Sequence, residues 1–352
     1  MTKKISTFYI LLLVLGLTAC QNKQMEEKFD WNPAESHPLM YPGEAYKIRF
    51  VFADSNTISW PTGGTGLGGG WGKESGTVSV GANLKPVPVR LDISWLSYTE
   101  KQFYQGSFQL PYDTILSLFK NGFIDYNGEH DTYNQIIAGM APGGIVVVWL
   151  SGVGHQVDVA RFKAQPTQVA IPDFSPDSQI KDLDNYMKME IETDSDVARA
   201  IKSATENGIP YGLWDRYRER FILRPVITYD QHTPVSTNIV SMDFYNGESD
   251  VMLGDRIIKN EFQSRGRIEK MSISWTMERT PNKKQSYQLN IEFNEAEIFK
   301  AYKETYATNP TQKVELVVAI NRGNDQYQVF LQNKETKIEL HQVTGEILLD
   351  NL

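Results

Sequence analysis

The sequence predicts an α+β protein of two tandem, related domains, each an antiparallel sheet with a helix, behind a lipoprotein signal peptide. The first observation is length, because 352 residues exceed one ordinary domain and suit two. The second is the apolar alternation of residues 89–95, which is typical of a half-buried antiparallel strand. The third is a similar stretch at residues 271–275. A composition that is 41% hydrophobic and 22% charged indicates a globular chain.

Residues 1–19 have the features of a secretory leader. Lys3 and Lys4 give a basic start, and the apolar run 5–19 is shorter than the roughly 20 residues that a spanning helix needs. Small residues then precede Cys20, the only cysteine. The pattern resembles the lipobox of bacterial lipoproteins, which implies cleavage before Cys20 and a lipid anchor on its sulfur. An ordinary secretory signal, or a leader that is not cleaved, is the alternative.

The predicted mature chain is acidic. Cleavage removes Lys3 and Lys4 and changes the formal charge from -8 to -10. Such a chain is a poor partner for nucleic acid or for the anionic surface of a membrane. With Cys20 acylated, no free thiol remains for a disulfide, a catalytic thiolate or a cysteine metal site. The expected contact with the membrane is therefore the lipid on Cys20.

The segment after the leader, residues 20–45, is expected to be an extended tether, because its prolines prevent a helix. The first domain is predicted at residues 46–170 and opens with a strand at 46–52. A glycine-rich loop follows at 63–73. It formally contains G-x-G-x-x-G, but Pro61 stands before it and a strand-like segment after it. A tight turn is therefore favoured over a dinucleotide site.

The rest of the first domain has the order strand, strand, helix, strand, strand. Strands are predicted at 89–95 and 103–110, and a helix ends near Lys120. Two further strands are predicted at 136–139 and 145–150. The last of these runs is apolar on both faces, which indicates a central strand.

A helical segment is expected between the two domains. Helical spacing at 177–191 and 195–207 predicts a helical bridge over residues 171–210. The second domain is then predicted at residues 211–352.

The second domain repeats the element order of the first. Trp95 matches Trp275 at an offset of 180, and Tyr104 matches Tyr287 after a three-residue insertion. The second helix has its own start signal, since Asn294 is followed three residues later by a glutamate. Duplication of one ancestral unit is favoured over a chance match.

Several motifs resemble one family of bacterial lipoproteins. They are Cys20 after the leader, Gly-Trp-Gly at 70–72, Ala-Pro-Gly-Gly at 141–144, Gly-Ile-Pro at 208–210 and Trp-Asp-Arg-Tyr-Arg at 214–218. The family is catalogued as domain of unknown function twenty-nine thirty-one, and the resemblance covers residues 31 to about 221. It implies a secreted, lipid-anchored protein. It carries over no activity, cofactor or site residue.

The sequence contains no recognisable catalytic motif. The five histidines include no H-E-x-x-H, and Ser151 lacks the glycine that a nucleophile elbow has two positions earlier. Asp243, Glu248, Asp250 and Asp255 do not follow the spacing of an EF-hand. No metal, cofactor or catalytic residue is therefore predicted. A glycosidase-like carboxylate pair assembled from distant strands is the alternative that a sequence does not reveal.

Three residues around the glycine-rich loop are the candidate ligand contacts: Trp60, Trp71 and Lys73. Tryptophan rings stack on sugars and peptides, although core packing is the favoured role of both tryptophans. Farther along the chain, Arg216, Arg218 and Arg220 lie beside the aromatic residues Trp214 and Tyr217. A salt-bridged surface between domains is favoured there over contact with an anion or a partner.

These observations favour a non-enzymatic lipoprotein that binds a protein or a glycan at the bacterial envelope. An immunity-type lipoprotein that blocks an incoming toxin is one specific form. Gln21 is not the aspartate that retains enterobacterial lipoproteins in the inner membrane, so the outer membrane is favoured. The alternatives are an envelope glycan hydrolase and a structural envelope component.

Overall fold

A computed structural model of the chain describes residues 27–59, 69–75, 79, 81–280 and 283–350. The predicted signal peptide at 1–19, Cys20 and Trp60 lie outside the described residues. The described part is an α+β structure dominated by sheets, as the sequence predicts. None of its helices has both the length and the apolar character needed to cross a bilayer.

The helices are α1 (Tyr112–Asn121), α2 (Ile171–Phe174), α3 (Leu183–Thr193), α4 (Ser195–Asn207), α5 (Leu213–Tyr217), α6 (Asp255–Lys259) and α7 (Glu295–Thr305). The strands of residues 27–167, called the first half, are β1 (Lys28–Asp30), β2 (Asn32–Ser36), β3 (Gly43–Val51), β4 (Thr57–Ser59), β5 (Leu84–Pro86), β6 (Arg90–Ser97), β7 (Gln102–Gln109), β8 (Phe123–Ile124), β9 (His130–Asp131), β10 (Gln135–Ala141), β11 (Ile145–Gly152), β12 (His155–Lys163) and β13 (Gln165–Thr167). The strands of residues 221–350, called the second half, are β14 (Phe221–Tyr229), β15 (Val235–Phe244), β16 (Ser249–Leu253), β17 (Gln263–Arg265), β18 (Ile268–Thr280), β19 (Lys283–Phe293), β20 (Val314–Ile320), β21 (Tyr327–Gln332), β22 (Lys337–Leu340) and β23 (Val343–Asp350).

The first half is a sandwich of two layers of strands. One layer has five strands in the order β13-β7-β6-β3-β4, and Leu91, Ile93 and Trp95 of β6 point into the core. The strands β2-β10-β11-β12 form the other layer and contribute Val148 and Leu150 to the same core. Alternation along β6 therefore selects the buried face, as the sequence predicts.

Strand β11 is buried on both faces. Val146, Val148 and Leu150 belong to the sandwich core, whereas Val147 and Trp149 belong to a separate buried cluster on the opposite side. This second cluster is covered by residues from other parts of the chain. The prediction that the run 145–150 is a central strand is confirmed.

Apart from β17, which pairs with the outer side of β14, the second half has the same strand order as the first. The order β23-β19-β18-β15-β16 corresponds to β13-β7-β6-β3-β4, and β14-β20-β21-β22 corresponds to β2-β10-β11-β12. Helix α1 follows β7, and helix α7 follows β19. Trp95 stacks on Tyr104 with ring centroids 5.3 Å apart, and Trp275 stacks on Tyr287 at 5.4 Å.

Two features of the sheets differ from the prediction. Gln156 of β12 pairs with Ser249 of β16, so the strands β2-β10-β11-β12-β16-β15-β18-β19-β23 form one sheet across both halves. The pairs β2–β10 and β14–β20 are parallel, so the sheets are not wholly antiparallel. In both pairs the chain passes through the other layer of the sandwich before it returns. Alternation shows which face of a strand is buried, but not which strand edges meet.

The segment expected as a tether belongs to the fold from Lys28 onward. Strand β1 pairs with β5, and β2 pairs with β10. Trp31 and Ala34 are fully buried. Pro33 is compatible with β2 because β2 is an edge strand of the sheet, where a missing N–H costs least. The chain is extended here, as proline predicts, but it is packed.

The helices predicted at 177–191 and 195–207 are α3 and α4. Asp182 and Asp194 cap them by accepting hydrogen bonds from backbone N–H groups of the first turn. Tyr186 of α3 packs with Phe103 of the first half. Glu44 accepts a hydrogen bond from the Tyr186 hydroxyl at 2.8 Å. These helices therefore pack on the first half instead of spanning a gap between two domains.

Candidate functional site at the junction of the two halves

Two glycines bring the halves into backbone contact. Gly72, near the end of the glycine-rich loop, and Gly247, in the β15–β16 turn, both have positive φ, at 78° and 84°. A β-carbon on Gly72 would lie 2.4 Å from the α-carbon of Gly247. The reverse distance, from a β-carbon on Gly247 to the α-carbon of Gly72, would be 2.8 Å. Only glycine fits at either position.

Side chains of the first half complete this contact. The amide Nε2 of Gln156 donates to the carbonyl oxygens of Gly72 at 2.6 Å and Gly247 at 2.5 Å. The indole Nε1 of Trp149 donates to the carbonyl of Asn246 at 3.0 Å. Trp71 packs edge-on against Trp149 with ring centroids 4.9 Å apart. The glycine-rich loop therefore ends in a tight turn clamped between the halves.

Helix α5 covers the neighbouring part of the junction. Trp214 is buried against Tyr41, with ring centroids 5.4 Å apart. Tyr217 stacks on Tyr245 of the second half at 5.5 Å and donates a hydrogen bond to Glu295 at 2.8 Å. These aromatic contacts shield the outer face of β10 and β11 from water.

Ion pairs extend along the β12–β16 seam. Arg218 donates two hydrogen bonds to Asp158, at 2.6 and 3.1 Å. The Asp158 side chain is 4% exposed, and its burial raises the pKa of that carboxyl although Arg218 acts against the rise. Arg220 donates to Glu248 at 2.6 Å. Arg218 and Arg220, two of the three arginines expected at a salt-bridged surface, form these ion pairs.

Asp250 lies at the centre of a second group of charges. Arg256 donates to both of its oxygens at 2.8 Å, and Arg265 donates to Oδ2 at 2.5 Å. His155 Nδ1 lies 3.4 Å from Asp250 Oδ1. Burial by itself raises the pKa of Asp250, but the two guanidinium groups outweigh it and lower the pKa. Burial lowers the pKa of His155, and the charge of Asp250 offsets only part of that effect.

These charges line one cavity of about 200 Å³, which we call the junction groove. Three guanidinium groups and two carboxylates face it. It is lined by His155, Gln156, Val157, Arg220, Phe244, Glu248, Ser249, Asp250, Arg256, Gln263, Ser264 and Arg265. Clefts between structural units are common sites of ligand binding. Among the described residues, no three histidine, cysteine or acidic side chains are grouped so that they could hold a metal ion.

A larger groove of about 670 Å³ lies at the turn between β20 and β21. Its polar side chains already bond one another, because Asn321 donates to Asp325 at 2.8 Å. Asp230, also in this groove, lies 3.8 Å from Arg322. The junction groove is the better candidate because its cationic groups exceed its carboxylates.

The candidate ligand contacts occupy different environments. Trp60 and the lipidation residue Cys20 lie outside the described residues. Trp71 is buried, so it packs in the junction and presents no free ring to a ligand. Lys73 pairs with Asp243 at 3.1 Å, and both side chains are partly exposed. The favoured packing role of Trp71 agrees with its position.

The groove residues Arg256 and Arg265 have no signal in the sequence. Both arginines contact Asp250, one of the acidic residues noted in the sequence. The spacing of these residues along the chain does not show that they pair. His155 is 95 positions away from Asp250 and reaches it only because β12 and β16 become neighbours. The one local hint of an ion pair in the sequence is a charged residue inside an apolar strand, because a charge that is buried there requires a partner.

A protein-family comparison matches residues 18–212 to the family described as Protein of unknown function (DUF2931). The chain belongs to this family. The matched region includes Cys20, the glycine-rich loop and the motifs at 141–144 and 208–210, and it ends before Trp214. The DUF2931 region therefore supplies Gly72 and Gln156, whereas the arginines of the junction groove lie beyond it. Searches of curated proteins and of solved structures found no match.

Proposed function

We propose that this DUF2931 protein is a lipid-anchored, non-enzymatic binding protein of the bacterial envelope, whose ligand site is the junction groove. The observation that carries the proposal is the excess of guanidinium groups around buried carboxylates. Arg256 and Arg265 lower the pKa of Asp250 although burial raises it. A glycosidase acid needs the opposite shift, because it must hold a proton near neutral pH. The arrangement suits recognition of a charged group better than acid catalysis.

The proposed anchor would hold the folded body close to a membrane. Lipidation of Cys20 leaves seven residues before Lys28, the first residue of β1. Seven extended residues reach at most about 25 Å. The folded body would then stay near the lipid surface, and the outer membrane is the proposed location because Gln21 follows Cys20. An envelope protein or glycan is the proposed partner.

We also infer that the two halves are tandem copies of one unit. Their identical strand order supports this, as do the equivalent Trp95–Tyr104 and Trp275–Tyr287 stacks. In this view, fusion of β12 to β16 created the groove, which neither unit has alone. Binding at the groove would therefore be a property of the joined chain.

A second candidate is an envelope glycan hydrolase. The observation in favour of a hydrolase is that Glu248 and Asp250 line the same cavity. Each carboxylate is held by a guanidinium group, Glu248 by Arg220 and Asp250 by Arg256 and Arg265. Both carboxylates would have to leave these pairs before they could act on a sugar.

The test is a crosslinking pull-down from intact envelopes with the acylated protein. The variant Arg220→Glu reverses a charge in the groove, and Arg224→Glu reverses one that pairs with Glu315 outside it. We expect the wild type and Arg224→Glu to recover the same partner and Arg220→Glu to lose it, with circular dichroism verifying the fold of each. Equal recovery by both variants contradicts the proposal. Cleavage of envelope glycans by the purified protein would establish the hydrolase instead.

A further inference from the structure

Asp250 is shared by two guanidinium groups. Its Oδ2 accepts from Arg256 Nη2 at 2.8 Å and from Arg265 Nη1 at 2.5 Å. The side chain of Arg265 is only 4% exposed. Its Nη2 meets neutral acceptors, Gln263 Oε1 at 2.8 Å and the Met252 sulfur at 3.8 Å. Within the described part of the chain, its Nε has no acceptor.

One positive charge in the junction groove is therefore uncompensated. Among the residues that the structure describes, Arg220 is matched by Glu248, but Arg256 and Arg265 have only Asp250 between them. A buried charge without a counter-charge is costly, and proteins usually pair it or bind an ion there. His155, 3.4 Å from Asp250, adds no negative charge. The groove thus has the electrostatic character of an anion site.

The size and the donors of the groove restrict the anion. A volume of about 200 Å³ has room for roughly six water molecules at about 30 Å³ each. This is enough for one small oxyanion group, either free or carried by a larger partner. Guanidinium groups present planar pairs of N–H donors that match the oxygens of phosphate and carboxylate groups. Ser249 and Ser264 provide additional hydroxyl groups at the lining.

We infer that the junction groove binds a phosphate-type oxyanion between Arg220, Arg256 and Arg265. This inference rests on the proposed function, which places the ligand site in this groove, and it names the chemical class of the ligand. Such an anion would contact residues of α6 and β17 and the segment before β14, beside β12 of the first half. Free phosphate and the phosphate of a lipid headgroup share this chemistry.

Two variants with opposite expected effects test the site. The measurement is the dissociation constant for inorganic phosphate, by calorimetry at constant ionic strength, on the whole mature chain with Cys20→Ser. Glu248→Gln removes the carboxylate that occupies Arg220, so phosphate should bind about tenfold more tightly. Arg220→Gln removes a donor, so phosphate should bind about tenfold more weakly. If the Arg220–Glu248 pair only stabilised the fold, the two variants would not change the phosphate affinity in opposite directions.

Glu315→Gln is the matched control. Glu315 accepts from Arg224 on the second half, away from the groove, so its loss should leave the phosphate affinity unchanged. A wild type that binds no phosphate overturns the inference, as does an equal effect of Glu248→Gln and Arg220→Gln. The Glu248→Gln variant keeps the test valid even if Arg220→Gln fails to fold. This result is independent of the envelope pull-down, because no partner protein takes part.

Vesicles of phosphatidylglycerol distinguish the two sources. The Cys20→Ser chain cannot enter them through acyl groups, so any association reports a headgroup contact. Competition between such vesicles and inorganic phosphate supports a headgroup ligand. Phosphate binding that the vesicles do not affect supports a soluble phosphate ligand. Failure to bind either probe contradicts the inference.

Discussion

Gly72 and Gly247 meet through their backbones, and both of their carbonyl oxygens accept hydrogen bonds from the single amide group of Gln156. The contact joins the end of the glycine-rich loop to a turn of the second half. It gives a physical reason for Gly72 in the Gly-Trp-Gly motif at 70–72. The loop is a structural clamp at this end.

Gly72→Ala should destabilise the protein strongly. The new β-carbon would strain a backbone with positive φ and would collide with Gly247 at 2.4 Å. We expect a loss of roughly 3 kcal/mol or more in the free energy of unfolding, measured by urea denaturation.

Gly70→Ala is the control for this change. Gly70 also has positive φ, at 106°, but no atom lies within 4 Å of the position of an added β-carbon. Strain alone should cost about 1 kcal/mol there. Equal losses from Gly70→Ala and Gly72→Ala would show that the contact with Gly247 is unimportant.

The Arg218–Asp158 pair should couple β12 energetically to the segment between α5 and β14. Its carboxylate is almost fully buried, whereas Arg218 is 33% exposed, so water screens part of the attraction. A double-mutant cycle of Asp158→Asn and Arg218→Gln should give a coupling energy of about 1–3 kcal/mol in urea denaturation.

A second bidentate pair provides the comparison. Arg161 donates to Asp215 at 2.8 and 2.9 Å, also between β12 and α5, but Asp215 is 47% exposed. The same cycle on Arg161 and Asp215 should give less than about 1 kcal/mol. Additive effects at Arg218 and Asp158 would rule out a stabilising role for that pair.

His37 should make the protein less stable in mild acid. The side chain is fully buried, and burial lowers its pKa from 6.5 to about 3, although a backbone hydrogen bond with Met140 acts the other way. Glu35 lies 4.0 Å from it. The unfolded chain therefore takes up a proton below pH 6.5 while the folded chain does not. Stability from this group is complete above pH 6.5 and is lost as the pH falls toward 3.

The measurement compares the wild type with His37→Asn in urea denaturation between pH 7.5 and 5. The carboxylates common to both proteins cancel in the difference. The wild type should lose about 2 kcal/mol more than the variant between pH 7.5 and 5, since one pH unit corresponds to about 1.4 kcal/mol once the histidine of the unfolded chain is protonated. Parallel pH profiles would mean that His37 is protonated equally in the folded and unfolded chains.

Cys20→Ala should abolish membrane attachment. Without the thiol no diacylglycerol can be joined to the chain, and several acyl chains are what makes such an anchor stable. We expect the variant to lose its acyl label and to leave the membrane fraction on cell fractionation. Continued acylation of the Cys20→Ala chain would refute lipidation at this residue.

Local patterns predict much of the fold because they report the environment of each strand or helix separately. The alternation at 89–95 gives the buried face of β6, and Asn294 accepts from the Glu297 N–H at 3.0 Å, as the capping pattern predicts. The prediction of a tether at residues 20–45 was wrong from Lys28 onward. Prolines indicate an extended chain, but they do not show whether a partner strand is available to bury Trp31.

The sequence by itself determined the α+β class, the central position of β11, the start of α7 after Asn294 and the matching stretches around Trp95 and Trp275. Only the tertiary structure decided that β12 and β16 share a sheet and that Asp250 meets Arg256, Arg265 and His155. The physical reason is the separation along the sequence of the residues that interact. Burial and capping depend on neighbours within a few residues, whereas the junction groove depends on which strand edges meet after the chain has folded.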